Sequence, residues 1–132
     1  MSQENVEAFL EANEAMRRGD VERLLRWVDE EAVLLAARSA VEGAYRGHEG
    51  LRRFVADNQE NFEKFEPNYP EVHDLGDRVL AIGTIHVRGR GSGVETDIPA
   101  AGIATFNEDG RLVRWEDFRE RHLALEAAGL AE

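Results

Sequence analysis

Two side chains late in the sequence, Trp115 and Asp117, have the types and the spacing that suit a binding or catalytic site. They belong to the run 109–118, which opens with the turn pair Asp109-Gly110 and continues as a strand whose successive side chains point to opposite faces. Trp115 and Asp117 therefore share one face. Burial raises the pKa of a carboxyl group unless a donor or cation supports its charge, and such groups gather at functional sites. We expect a pocket wall in which Trp115 contacts substrate and Asp117 is catalytic; alternatively, Asp117 caps the next helix or pairs with an arginine.

His86 is the second candidate for proton transfer. A tight, glycine-rich hairpin is expected to bring His86 close to Asp97, and a tight turn at Asp109-Gly110 to bring Ala101 opposite Asp117. His86, Asp97 and Asp117 would then share one face of a sheet. Histidine beside a carboxylate suits proton shuttling near neutral pH, because its ordinary pKa is about 6.5. A slip of one residue reverses the face, so the alternative is an exposed or interface His86 on the outer side.

Other kinds of chemistry are not favoured by the sequence. The chain has no cysteine, which excludes disulfides and thiolate catalysis. The glycine-rich run 89–93 lacks the Lys-Ser/Thr ending of a phosphate loop and joins two expected strands. The four histidines show no close spacing typical of a zinc site: His48, His73, His86 and His122. We predict neither a metal nor a cofactor.

Composition narrows the class of protein and its partners. The chain has 132 residues, which suits one domain over 1–132 with its own core. A formal net charge of -11 argues against a nucleic-acid partner, because that affinity depends on basic patches. Neither a signal peptide nor an apolar run long enough to span a bilayer is present in the sequence. We predict a cytoplasmic protein without a membrane partner.

Helical periodicity dominates the first half of the chain. A first helix is expected to start at a Ser2 cap and end at Gly19, and a second to start at an Asp20 cap. A third has its apolar stripe from Leu51 to Phe62, and Pro67 and Pro70 prevent it from continuing far.

Three further residues of the first half have side chains that could face a pocket. Asn58 interrupts the stripe of the third helix, either bonded in the core or pointing its amide into a cavity. Trp27, at the end of the second helix, is expected in the core or a pocket wall. Tyr45 is the large amphipathic side chain of a predicted loop, 38–47. Trp27 and Tyr45 are therefore candidates for substrate contact.

One strand is predicted in the first half, and the second half has the signals of antiparallel strands. A buried strand is first predicted over 32–37, and turn residues then separate apolar, β-branched runs near 69–75, 78–90, 94–107 and 111–118. A short closing helix follows over 120–128, with Gly129 beyond it. Helices first and a sheet afterwards define an α+β fold.

Three strings, in this order and at this spacing, resemble the SnoaL-like branch of the nuclear transport factor two-like superfamily. They are Gly19-Asp20, the run 45–51 (YRGHEGL) and the run 109–115 (DGRLVRW) through Asp117. The resemblance implies a cone-shaped α+β fold, in which N-terminal helices pack on a strongly curved, mainly antiparallel sheet and enclose a pocket. It also implies a homodimer formed through the outer sheet face. On that face the last strand is expected to present Leu112 and Phe118, alternating with Arg114 and Glu116. The alternative is a monomer in which the closing helix partly covers this face.

Two activities of the superfamily can be compared with this sequence position by position. Asp117 matches a catalytic aspartate of the limonene epoxide hydrolases, but the run 83–87 (GTIHV) lacks their Arg and Asp pair. The first helix lacks the tyrosine of the ketosteroid isomerases, and Asp29 fits their base only if it turns inward; the alternative is a solvated helix end over 29–31.

Two functions remain open at this point. One is an enzyme of the cyclase, isomerase or dehydratase type, with His86 and Asp117 transferring protons on a small apolar or amphipathic molecule. The other is a non-catalytic module that binds such a molecule or dimerises. In both, Trp27, Tyr45, Asp97 and Trp115 are the expected contacts to the small molecule.

Overall fold

A computed structural model describes residues 2–36 and 43–130 of the chain. Four helices and six strands lie within these residues. In chain order they are α1 (Ser2–Arg17), α2 (Val21–Leu25), β1 (Val28–Leu35), β2 (Tyr45–Arg46), α3 (Gly47–Asn61), β3 (Phe62–Asp74), β4 (Arg78–Gly89), β5 (Glu95–Phe106), β6 (Leu112–Phe118) and α4 (Arg121–Ala128).

The six strands form one mixed sheet in the order β2-β1-β6-β5-β4-β3. The β1 and β6 strands run parallel, and the other neighbouring pairs are antiparallel. The prediction of an α+β fold with a mainly antiparallel sheet is therefore confirmed. The strong curvature of the sheet and the cone shape remain predictions.

The corner between the first two helices forms as its residues dictate. Gly19 has φ +67°, a left-handed conformation that favours glycine after a helix. The Asp20 carboxylate accepts a hydrogen bond from the Arg23 backbone N–H at 3.1 Å, which caps α2 as predicted. The side chain of Ser2, the predicted first cap, lies outside the described residues.

The first strand begins earlier than the sequence pattern indicated. It starts at Val28 rather than at residue 32, so the acidic run 29–31 belongs to the strand and is not a solvated helix end. Asp29 accepts a hydrogen bond from the Glu31 backbone N–H at 3.0 Å, which satisfies its carboxylate locally. Residues 37 and 38–42, part of the predicted strand and loop, lie outside the described residues, and Tyr45 belongs to the short strand β2.

Two prolines lie within β3 rather than ending a helix, which corrects the predicted start of this strand near residue 69. The helix α3 ends at Asn61, and β3 begins at Phe62. The pairing of β3 with β4 is interrupted between Asn68 and Glu71, where Pro70 lies. A bulge tolerates proline because its missing N–H is not needed there.

Two apolar clusters lie on opposite sides of the sheet. The larger one lies between α1–α3 and the face that we call the inner face, which includes Val79, Ala81, Ala104 and Trp115. The smaller one lies between α4 and the outer face, which includes Leu80, Ala101 and Ile103. The closing helix therefore covers part of the outer face.

A bulge in β6 decides which residues of this strand reach each face. Thr105 pairs with Arg114 and Phe106 with Leu112, so Val113 is an extra residue. As a result Gly102, not Ala101, lies opposite Asp117, and the predicted register is wrong by one residue. One residue is enough to move a side chain to the other face.

The same bulge corrects the predicted dimer patch on the last strand. Leu112 is buried in the larger cluster, and Phe118 packs against the α4 cluster. Leu112 therefore leaves the outer face, whereas Phe118 stays on it and is partly covered by α4.

Candidate functional site

An apolar cavity of about 100 Å³ lies between the helices and the inner face of the sheet. We call it the inner cavity. Its wall is built from α1, α2, α3 and strands β1, β3, β4 and β6, with apolar residues that include Phe9, Leu24, Leu34, Leu51, Phe54 and Ile85. Asp117 is the only carboxylate among the described residues that line it. An apolar enclosure with few polar groups is the usual form of a small-molecule site.

Three aromatic rings form one side of this cavity. Phe9 stacks on Trp115 with ring centroids 5.6 Å apart and an interplanar angle of 12°. Tyr69 lies 5.7 Å from Phe9 and 5.9 Å from Trp115, in tilted contacts. Such contacts fix ring orientation as well as burying area. The indole of Trp115 is thus held by α1 and β3 together.

Gly102 gives the Trp115 indole its place against the sheet. A Cβ atom at Gly102 would lie only 2.1 Å from Trp115 Cζ2. The indole therefore lies across the bare backbone of Gly102, the residue of the neighbouring strand that pairs with Asp117. This explains how Trp115 and Asp117, two residues apart, come into contact along the strand.

The Trp115 indole N–H donates a hydrogen bond to Asp117 Oδ1 at 2.7 Å. This bond orients the carboxylate at the cavity wall and supports its charge. The prediction that Trp115 and Asp117 share one face and line one pocket wall is confirmed. The cap of α4 is Glu120, so Asp117 does not cap that helix.

Tyr69 and Asn13 also line the cavity, and the sequence analysis missed both. Burial raises the pKa of the Tyr69 hydroxyl, and the negative charge of Asp117 raises it further, so Tyr69 remains a hydrogen-bond donor. The Asn13 amide donates to the Pro67 carbonyl at 3.1 Å and joins α1 to β3. Asn13 lies four residues after Phe9 on the helix, so a polar residue in the apolar stripe was the available signal.

Two predicted contact residues lie beside the inner cavity, and neither belongs to its lining among the described residues. Trp27 packs against the larger cluster, and its carbonyl accepts a hydrogen bond from the Leu112 N–H at 2.8 Å. Tyr45 is buried and donates its hydroxyl to Asp57 at 3.0 Å, with Arg53 lying 4.8 Å above the ring. The geometry gives both residues structural contacts, and their contact with substrate remains a prediction.

His86 and Asp97 lie opposite each other, as the hairpin predicted. His86 Nδ1 lies 2.8 Å from Asp97 Oδ1, and Nε2 lies 3.0 Å from Glu95 Oε1. Register places this pair on the outer face, whereas Asp117 is on the inner face. The prediction that His86, Asp97 and Asp117 share one face is therefore wrong, because the Val113 bulge moves Asp117 to the other side.

The described residues contain neither a metal-ligand cluster nor a membrane-spanning helix. Over residues 2–36 and 43–130, no group of three or more His, Asp or Glu side chains could hold a metal ion. In the same residues, no helix has the length and apolar character needed to cross a bilayer.

Comparison with solved structures identifies the class of fold. TerC, co-crystallised with polyporic acid, superposes with a TM-score of 0.79 at 22% identity, covering 96% of this chain and 98% of TerC. A ketosteroid isomerase-like protein from Catenulispora acidiphila, in complex with trimethylamine, gives 0.76 at 14% identity, covering 95% and 94%. A candidate SnoaL-like polyketide cyclase from Shewanella denitrificans gives 0.76 at 19% identity, covering 94% and 95%. These likenesses define a nuclear transport factor two-like, ketosteroid isomerase-like fold.

The sequence itself identifies the family within this class. The SnoaL-like domain family matches residues 6–115. The chain belongs to this family, as the order of its motifs predicted. No protein with a curated description matches it.

Proposed function

We propose that this protein binds a small, largely apolar molecule in the inner cavity, with Asp117 contacting the polar group of that molecule. The observation that carries the proposal is the Trp115–Asp117 pair, a carboxylate held at 2.7 Å by an indole in an otherwise apolar wall. TerC and the C. acidiphila protein, which have similar folds, hold small molecules in their crystals. We also propose, from the family resemblance, that the helices and the sheet form a cone that encloses this ligand.

The size of the cavity limits the ligand. An apolar cavity of about 150 Å³ takes benzene, and the inner cavity measures about 100 Å³. A molecule with fewer heavy atoms than benzene therefore fits without side-chain movement. A larger ligand requires part of the wall to move.

A second candidate function is acid–base catalysis, which the proximity of Tyr69 and Asp117 favours. A carboxylate can take a proton from a carbon beside a carbonyl group, while a neutral hydroxyl stabilises the oxyanion that forms. Returning the proton to another carbon completes an isomerisation. This role rests on Asp117 and Tyr69, because His86 and Asp97 lie on the outer face.

The Asp117→Asn variant tests the proposal, because an amide oxygen can still accept the Trp115 N–H while the charge is removed. We expect the free energy of unfolding to change little and affinity for trimethylammonium to fall at least ~10-fold. If the protein is an enzyme, isomerisation of pent-4-en-2-one to its conjugated isomer should fall ~10²-fold. The measurements are a denaturant melt, a calorimetric titration and the absorbance of the conjugated product.

The outcome that contradicts the proposal is equally specific. If Asp117 is instead a buried ion-pair partner, losing its charge leaves a desolvated cation and costs roughly 3 kcal/mol or more. A large loss of stability with unchanged binding would remove Asp117 from the site. Asp57→Asn is the matched control, since Asp57 bonds a tyrosine outside the inner cavity.

A further inference from the structure

A second cavity of about 170 Å³ adjoins the inner cavity. We call it the outer cavity. It lies between the C-terminal end of α1, the helix α3 and the start of β3, and its lining includes Gly19, Asn58, Gln59, Phe62, Lys64 and Glu66. Several of these side chains are exposed, so this cavity opens to solvent. Asn58 was expected either to bond within the core or to point its amide into a cavity. It is buried in the wall of the outer cavity.

Met16 and Phe65 line both cavities and form the partition between them. Phe65 is held by edge and tilted contacts to Phe54 at 6.2 Å and Phe62 at 5.9 Å. Met16 is half-buried and lies one residue before α1 ends at Arg17. A methionine side chain has three rotatable bonds and adapts easily, so Met16 is the movable part of the partition.

We propose that Met16 moves aside and joins the two cavities, so that one elongated ligand occupies both. This inference rests on the proposed function and specifies its ligand. The joined space approaches the lower limit of ordinary ligand pockets, about 300 Å³. The apolar chain and a polar group beside Asp117 lie in the inner cavity, and a second polar group, at the other end of the ligand, lies in the outer cavity.

The charges at the outer cavity indicate an uncharged head group. Its cations are already paired: Arg18 lies 3.2 Å and Arg17 3.6 Å from Glu14, and Lys64 lies 3.7 Å from Glu95. The whole chain has a net charge of -11, which repels anions. Amide side chains such as Gln59 instead offer neutral hydrogen bonds. The ligand is therefore an elongated, neutral amphipathic molecule, with a hydroxyl or amide at its outer end.

Linear alcohols from 1-butanol to 1-octanol test this inference. Binding is followed by the fluorescence of Trp115 in a Trp27→Phe background, which leaves one tryptophan. If both cavities are used, affinity should rise about fourfold for each added methylene through octanol. Octanoate should bind at least ~10-fold more weakly than octanol, and tighter binding of octanoate would overturn the neutral head group.

Variants at the partition separate this inference from the proposed function. Met16→Ala should strengthen octanol binding several-fold, and Met16→Phe should weaken it at least ~10-fold, while butanol binding changes less than ~2-fold. Leu10→Ala and Leu10→Phe are matched controls on α1, because Leu10 is exposed and lies outside both linings. Denaturant melts of all four variants show whether the fold is kept.

The failures are distinguishable. Butanol binding with no gain at longer chain lengths, and equal effects of the Met16 and Leu10 variants, would overturn the joined cavity and leave the proposed function standing. If no alcohol changes the Trp115 fluorescence, both proposals fail.

Discussion

At the scale of single residues, the site depends on the absence of one side chain. Trp115 can lie over the sheet and donate to Asp117 because Gly102, on the neighbouring strand, has no Cβ. The backbone of Gly102 lies outside the positive φ range, so sterics with the indole, not backbone conformation, demand glycine there. A small residue on β5 thus positions a functional group on β6.

We predict that Gly102→Ala displaces the indole and destabilises the protein by about 2 kcal/mol, as overpacking a core commonly does. The free energy of unfolding from denaturant melts measures this loss, and a shifted Trp115 emission reports the displacement. In a Trp115→Leu background the same substitution should cost much less, because the clash is gone. An equal cost in both backgrounds would show that the indole is not the cause.

At the scale of elements, the β4–β5 hairpin has an ionic cluster on its outer face. His86 lies between Glu95 and Asp97, while Lys64 on β3 reaches Glu95 and Glu66 lies opposite His86 in register. Both ring nitrogens of His86 face carboxylate oxygens, which favours the imidazolium, since only that form donates from both.

We predict that this cluster stabilises the hairpin below about pH 6.5 and loses that contribution as pH rises. Hydrogen bonds to Glu95, and then to Asp97, raise the pKa of His86 above its usual 6.5. A raised pKa in the folded state means that stability is fully present below the unfolded value and lost as pH passes the folded one.

An NMR titration of the His86 ring should therefore give a midpoint above 6.5, which Glu95→Gln lowers more than Asp97→Asn does. The control is Glu63→Gln, whose carboxylate pairs with Arg88 at 3.5 Å. If neither Glu95→Gln nor Asp97→Asn changes the midpoint of the His86 titration, the prediction is contradicted.

The closing helix is the second element with an electrostatic anchor. Glu71 on β3 accepts hydrogen bonds from Arg121, one of them at 3.0 Å, and from His73 at 2.7 Å. These bonds, led by the one from Arg121, lower the pKa of Glu71 to about 2. Arg78 also donates to the Ala127 and Ala128 carbonyls at the other end of the helix.

We predict that Glu71→Gln lowers the free energy of unfolding at pH 7 by no more than about 1 kcal/mol, the usual range for an exposed ion pair. Because the folded pKa is depressed, the contribution is present above about pH 4.5 and is lost as pH falls to about 2. Melts at several pH values should show the two proteins converging in acid. Glu126→Gln, an exposed substitution on the closing helix α4, should show no such convergence.

At the scale of the whole molecule, assembly remains a prediction that now rests on the family resemblance. The outer face is partly covered by α4, which was the alternative considered for a monomer. The large apolar side chain of Leu123 on α4 still reaches the surface on that side, with an exposure of 40%. The single domain over 1–132 and the cytoplasmic location also remain predictions.

We predict a homodimer, and sedimentation equilibrium at micromolar concentrations should give twice the chain mass. Leu123→Asp should shift the equilibrium at least ~10-fold toward monomer, because burying an unpaired charge in an interface is costly. Leu10→Asp, on the exposed side of α1, should leave it unchanged. A monomeric mass for the unaltered protein at all concentrations would contradict the prediction.

The sequence alone determined most of the elements, but not the short strand β2. It also determined the α+β class, the family, the His86–Asp97 pairing and the shared face of Trp115 and Asp117. Each depends on local propensity, on a short turn or on the period of two along one strand, and such signals lie within about ten residues. The sequence did not predict where β1 and β3 begin. Strand pairing extended β1 over the acidic run 29–31, which has low strand propensity, and placed Pro70 in a bulge of β3.

Only the tertiary structure decided which side chains meet. One extra residue, Val113, placed Asp117 on the inner face and left His86 on the outer face, and packing of α4 covered Phe118. The cavity brought in Tyr69 from a strand that lies far from Asp117 in the sequence. Register and packing depend on contacts between distant segments, so a pattern within one strand cannot specify them.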